Sequence, residues 1–158
     1  MFASHGSGGM AKAVLCALHD AGFRSGFVIA RNETAGSALA QSYEYEWKEE
    51  LGSIRSELLV NVTPIGMAGA PEAEDLSFTP EVIDAAETVF DVVALPPETP
   101  LIRYASRNGK KSLPEQKFSP FKHWNSSFFI QVYGLTTNSL NELLLMPGMG
   151  LFQGPLLI

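Results

Sequence analysis

The amino-acid sequence predicts an α/β protein built on a doubly wound, mainly parallel sheet. Two observations carry the prediction. Short apolar runs of strand length alternate with stretches of helical period through residues 1–111, and a glycine-rich turn, HGSGG from His5 to Gly9, joins the first run to the first helix. With 158 residues, 46% of them hydrophobic and 18% charged, the chain has the size and composition of one ordinary globular domain. It contains no internal repeat.

Only residues 1–4 stand before the turn, so the sheet is expected to be truncated at that end. A helix is expected over residues 10–21, because Ala11, Val14, Leu15, Leu18 and Ala21 recur near helical spacing and Gly22 supplies a stop. Cys16 falls among these apolar positions and reads as a small core residue. Residues 27–30 form a short apolar strand, and residues 34–42 a second helix with Thr34 as its candidate N-cap. The YEYEW alternation at residues 43–47 suits a half-exposed edge strand. Residues 58–62 and 88–94 read as buried strands, and residues 80–86 as a short helix opening with Pro80. A last helix over residues 99–108 is stopped by Gly109. Strands and helices in this order require right-handed crossovers.

After Lys111 the character changes. Pro114, Pro120 and Pro147 interrupt an aromatic-rich stretch without helical or strand period, so residues 112–158 are expected to form an atypical tail. The net charge of −6, with no basic run beyond Lys110-Lys111, argues against nucleic acid as a partner. No apolar run approaches the ~18 to 20 residues that span a bilayer, so no membrane partner is expected. A lone Cys16 closes no disulfide within the chain, and the start lacks a signal-peptide pattern, which makes the cytoplasm the expected compartment.

Gly6, Gly8 and Gly9 follow a strand and open a helix, so backbone N–H groups and the positive helix end can face a phosphate. The same turn also serves as a plain strand-to-helix connection without a ligand. Where G-x-G-x-x-G would place its third glycine stands Ala11, a permitted variant of the Rossmann fingerprint. Arg31, at the end of the second strand, suits the 2′-phosphate of NADP, whereas an Asp or Glu there would suit the ribose of NAD. It also disfavours a methyltransferase, and the lack of Gly-Lys-Ser/Thr excludes a P-loop. An ordinary solvated arginine is the plainer alternative.

NVTPIGM, from Asn61 to Met67, leaves a buried strand and turns sharply at Thr63-Pro64, at the sheet edge where open α/β folds bind ligands. Together with the glycine turn and the block FDVVALPPETPLIRYASRNGK, it resembles the NADP-binding domain of the shikimate dehydrogenase family. That family carries Asn-x-Thr-Pro-x-Gly-Met at this point, then a strand ending in Asp, matched here by Asp91, Pro96, Thr99, Pro100 and Leu101. The resemblance implies that Gly6, Ser7, Gly8, Gly9 and Met10 line the cofactor diphosphate. It places Ala30, Arg31 and Asn32 at the adenosine side and Thr63, Gly66 and Met67 toward the nicotinamide, with Asn61, at the strand end, also expected to bind the cofactor. The family's Asn-Arg-Thr has become Ala30-Arg31-Asn32, and Ala35 replaces a second basic residue, so one arginine does the work of two. Ala94-Leu95, in place of Tyr-Asn, resembles the divergent shikimate dehydrogenase-like subgroup.

The family's chemistry is hydride transfer between NADP and 3-dehydroshikimate, with a Lys and an Asp from an N-terminal substrate domain. No counterpart of that domain's motifs precedes His5, so the resemblance assigns no catalytic residue and no metal ligand to this chain. His5, His19 and His123 are isolated and read as structural, and Asp91 reads equally as a cap or a ligand. Two functions remain open. The chain is the cofactor part of an NADP-dependent shikimate dehydrogenase-like oxidoreductase, inactive alone and meeting a shikimate-like substrate only in the complete enzyme, or it is a stand-alone, non-catalytic dinucleotide-binding module. The oligomeric state is not indicated. Residues 112–148 are further expected to be a frameshifted translation of the family's C-terminal segment, because codons can be chosen that give, two bases later, a strand, a Gly, a Gln-bearing helix and a final amphipathic helix.

Overall fold

In the computed structural model, which describes residues 1–114, six strands form one all-parallel sheet. Along the chain come β1 (Phe2–His5), α1 (Gly9–Asp20), β2 (Gly26–Ile29), α2 (Glu33–Gln41) and β3 (Glu46–Lys48). Then follow β4 (Leu58–Asn61), α3 (Pro80–Ala85), β5 (Thr88–Asp91), α4 (Pro100–Arg107) and β6 (Lys111–Pro114). The spatial order β3-β2-β1-β4-β5-β6 reverses direction between β1 and β4, which opens a crevice at the carboxyl ends of those strands. Register brings the ends level: His5 lies opposite both Ile29 and Asn61, and Asn61 opposite Asp91.

The sheet is covered on both faces because its strands are apolar at consecutive positions. Phe2, Val28, Leu58, Val60 and Phe90 point to one face and pack with Val14, Leu15 and Leu18 of α1 and Ala40 of α2. Ala3, Phe27, Ile29, Leu59 and Val89 point to the other and meet Val82 and Ile83 of α3 and Leu101 and Ala105 of α4. Each large side chain so buried contributes about 1.5 to 3 kcal/mol relative to exposure.

The doubly wound parallel architecture expected from the sequence is the one observed, with several local corrections. β1 runs through His5 and has four residues, as many as β2, β4 and β5. Asn32, not Thr34, is the N-cap of α2: its side chain accepts a hydrogen bond from Ala35 N–H at 2.9 Å, and the helix starts earlier than expected. The YEYEW segment is not one strand. The chain turns at Glu44 (φ +61°), Tyr45 tucks into the core with its hydroxyl donating to Phe23 C=O, and only Glu46–Lys48 pair at the edge. Cys16 is exposed rather than in the core, because the buried stripe of α1 runs through Ala11, Val14, Leu15 and Leu18 and passes it by.

β4 and β5 stop earlier than their apolar runs, at the polar residues Asn61 and Asp91. The alternation expected to end at Lys111 continues through β6, which pairs with β5 in parallel. Residues 115–158, with His123 and nearly all of the segment read as a shifted frame, lie outside the described residues. No helix among the described residues is long and apolar enough to cross a membrane.

Candidate functional site

The turn from β1 into α1 is built around Gly6. Its φ of +130° lies where side-chain-bearing residues are strained, its N–H donates to Ile29 C=O at 2.8 Å, and a Cβ there would stand 2.9 Å from Val62 Cγ2. Gly6 therefore lets the chain pass close against the end of β4. Gly8, the N-cap of α1, and Gly9, its first residue, face open space instead, since a Cβ on either would meet nothing within 4 Å. No side chain caps this helix end and no acidic residue stands in its first turn. The unpaired first-turn N–H groups and the positive end of the helix dipole thus face outward. Ser7 is half-buried, and Met10 is exposed beside them.

On the other side of the crevice a cleft of about 500 Å³ is lined by His5, Ile29, Leu51, Ile65, Leu76 and Phe78, among others, with Arg31 and Glu72 also on its wall. Arg31 extends from the end of β2 and pairs with Glu72 in a two-pronged contact, Nη1–Oε1 3.2 Å and Nη2–Oε2 3.4 Å. Asn32, beside it, spends its side-chain oxygen on capping α2. His5 places Nδ1 2.7 Å from Ser77 C=O; a carbonyl only accepts, so Nδ1 carries the hydrogen.

Burial holds the His5 imidazole below its ordinary 6.5, opposed by the Ser77 hydrogen bond, with Arg31 adding to the lowering and Glu72 opposing it. Below pH 6.5 the unfolded chain therefore takes up a proton at His5 before the folded chain does, so stability falls as pH drops from 6.5 toward the folded value. Denaturant midpoints measured across that window should decline less in His5→Gln than in the unmodified chain. Parallel declines would refute the assignment.

NVTPIGM and the block around Asp91 form one buried hydrogen-bonded unit. Asn61 is fully buried, and its amide nitrogen donates to Asp91 Oδ1 (3.0 Å) and Ile65 C=O (3.2 Å). Its oxygen accepts from Thr63 N–H (3.1 Å) and Thr63 Oγ1 (2.6 Å), which is why β4 ends there. Thr63 Oγ1 in turn accepts from Ile65 N–H. Asp91, also fully buried, accepts from Val93 N–H and from Thr99 Oγ1 (2.6 Å), and Thr99 caps α4 by accepting from Ile102 N–H. Gly66, at φ +86°, packs against Thr99 and Pro100, so a Cβ there would lie 3.2 Å from Pro100 Cδ. Met67 remains 40% exposed at the rim.

No protein family model matches the chain. It is 49% identical over 109 residues to a shikimate dehydrogenase-like protein of Haemophilus influenzae, a match covering 69% of this chain and 40% of that protein. The chain's homologues are shikimate dehydrogenases and shikimate dehydrogenase-like proteins. It matches the C-terminal portion of these proteins and spans about two-fifths of the length of the curated relatives. A solved shikimate 5-dehydrogenase-like structure superposes with a TM-score of 0.70 at 47% identity, covering 72% of this chain and 42% of the other. Shikimate 5-dehydrogenase from Thermus thermophilus, in complex with NADP(H) and shikimate, gives 0.58 at 26% identity, covering 90% and 53%.

By their own contacts, the residues expected at the cofactor fall into three groups. Gly6, Ser7, Gly8, Gly9 and Met10 form the turn that points first-turn N–H groups out of α1, and Arg31 stands exposed at the end of β2. Gly66 and Met67 form the rim beyond β4. Asn61 and Thr63 use their side chains on the protein itself and so shape the loop after β4, while Asn32 uses its side-chain oxygen to cap α2. Glu72 carries no signal in the sequence that would single it out. It stands 41 residues from Arg31, in a run of turns without periodicity.

Proposed function

We propose that this chain is the cofactor-binding part of an NADP-dependent shikimate dehydrogenase-like oxidoreductase, with the dinucleotide lying across the carboxyl edge of the sheet. The observation that carries this reading is the turn at Gly6–Gly9. It brings an uncapped helix end to the crevice between β1 and β4 with open space before Gly8 and Gly9, which fits a diphosphate. Arg31 supplies a guanidinium for the 2′-phosphate at the adenosine end, and Gly66 and Met67 border the nicotinamide end. The naming of its relatives for NADP supports the choice of cofactor.

When bound, NADP supplies the hydride-transfer chemistry. This chain's own residues hold and orient the dinucleotide, and the buried Asn61–Asp91 unit fixes the loop that carries Thr63 to Met67. Substrate positioning and proton transfer belong, by the resemblance, to a separate substrate domain, so the chain alone is expected to bind cofactor without turning over shikimate.

The test is titration with NADPH and NADH, followed by intrinsic fluorescence. NADPH should bind more tightly, and Arg31→Ala should weaken NADPH about tenfold while sparing NADH, the size expected when a charged hydrogen bond is lost. Equal curves for the two cofactors in the unmodified chain would overturn the NADP assignment.

A further inference from the structure

Arg31 is already engaged. Its guanidinium grips the Glu72 carboxylate with both nitrogens, and this is the geometry in which arginine grips a phosphate. Glu72 projects from an anchored stretch of backbone: its C=O accepts from Gly66 N–H at 2.9 Å and from Asp75 N–H at 3.2 Å, which ties it to the Thr63–Gly66 loop. The bridge therefore spans from the loop after β4 to the end of β2, on the wall of the cleft. A phosphate on Arg31 must displace the carboxylate and then lie close to it.

From this we infer that Glu72 sets how strongly the site distinguishes a 2′-phosphorylated adenosine from one with a free ribose diol. The inference rests on the cofactor-binding reading above. Toward the phosphate, Glu72 competes for the guanidinium and repels the dianion. Toward a free 2′-hydroxyl, its carboxylate is a hydrogen-bond acceptor of the kind that NAD-binding sites offer at the end of the second strand. One residue thus weakens NADPH and helps NADH, which narrows the preference given by Arg31. The bridge is exposed, with side chains 72% and 36% accessible, so its loss costs the fold little and the effect is read in binding.

The experiment compares the unmodified chain, Glu72→Gln, Arg31→Ala and the double variant by titration with NADPH and with NADH. Glu72→Gln should tighten NADPH about five- to tenfold, the scale of one carboxylate beside a phosphate in water, and leave NADH equal or weaker. The gain should shrink in the Arg31→Ala background, because part of it comes from freeing the guanidinium. An unchanged or weakened NADPH affinity in Glu72→Gln, with Arg31→Ala still weakening NADPH, overturns the role of Glu72 and leaves the cofactor reading standing. Saturable binding of neither cofactor to any variant overturns both.

Discussion

Gly6→Ala is expected to destabilise the chain by about 2 to 5 kcal/mol and to abolish dinucleotide binding, since strain and overpacking act together. The two costs are independent. At φ +130° an alanine is strained, by roughly 1 to 3 kcal/mol. Its Cβ would also sit 2.9 Å from Val62 Cγ2 and 3.0 Å from Val62 O. Neither atom yields cheaply: Val62 is β-branched and stiff, and its carbonyl belongs to the backbone leaving β4. The strain cannot relax by moving the turn outward without breaking the Gly6 N–H bond to Ile29 C=O, which holds β1 to β2 at the crevice. Gly8→Ala is the control, because a Cβ there meets nothing within 4 Å of the protein. It should leave stability within about 1 kcal/mol yet still weaken the dinucleotide, which needs that space. Chemical denaturation and NADPH titration of both variants decide the matter. A Gly6→Ala chain as stable as the unmodified one would show that the turn is not constrained as described.

The architecture is legible in the sequence because covered parallel strands leave unbroken apolar runs, and the helices between them show a 3.6-residue period. Boundaries are less legible, for identifiable reasons. β4 and β5 end at Asn61 and Asp91 because those side chains accept hydrogen bonds from N–H groups two residues on, at Thr63 and Val93. An apolar run continuing through Val62, Val92 and Val93 hides that stop. Cys16 is misleading because its neighbours are apolar on both sides, while burial on α1 follows the stripe through Val14, Leu15 and Leu18. In the site, the glycine turn and Arg31 are visible from spacing and position. The Glu72 bridge and the cleft residues Leu51, Leu76 and Phe78 are not, since they come from irregular segments that converge only through the crossovers flanking β4.

Asp91→Ala should cost about 3 to 5 kcal/mol, comparable with the Gly6 substitution but by a different route, the orphaning of buried donors. The carboxylate is fully buried and accepts from the Asn61 amide, Val93 N–H and Thr99 Oγ1. Removing it leaves three donors without that acceptor, in a place water does not reach, and each such orphan costs about 1 to 3 kcal/mol before relaxation. The loss propagates in both chain directions. Asn61 holds Thr63 and Ile65, hence the loop that ends at Met67, and Thr99 holds the first turn of α4 through Ile102 N–H. Asp91→Asn separates the contributions: it keeps the volume and one oxygen but puts a donor where the second acceptor was, so it should lose less, about 1 to 3 kcal/mol. Denaturant midpoints at constant slope give both values. NADPH titration in the absence of denaturant should show weaker binding for both variants, because the Thr63–Met67 loop loses its anchor before the sheet does. If Asp91→Ala unfolds within about 1 kcal/mol of the unmodified chain, less than a single orphaned donor should cost, the buried carboxylate is not what joins the two motifs.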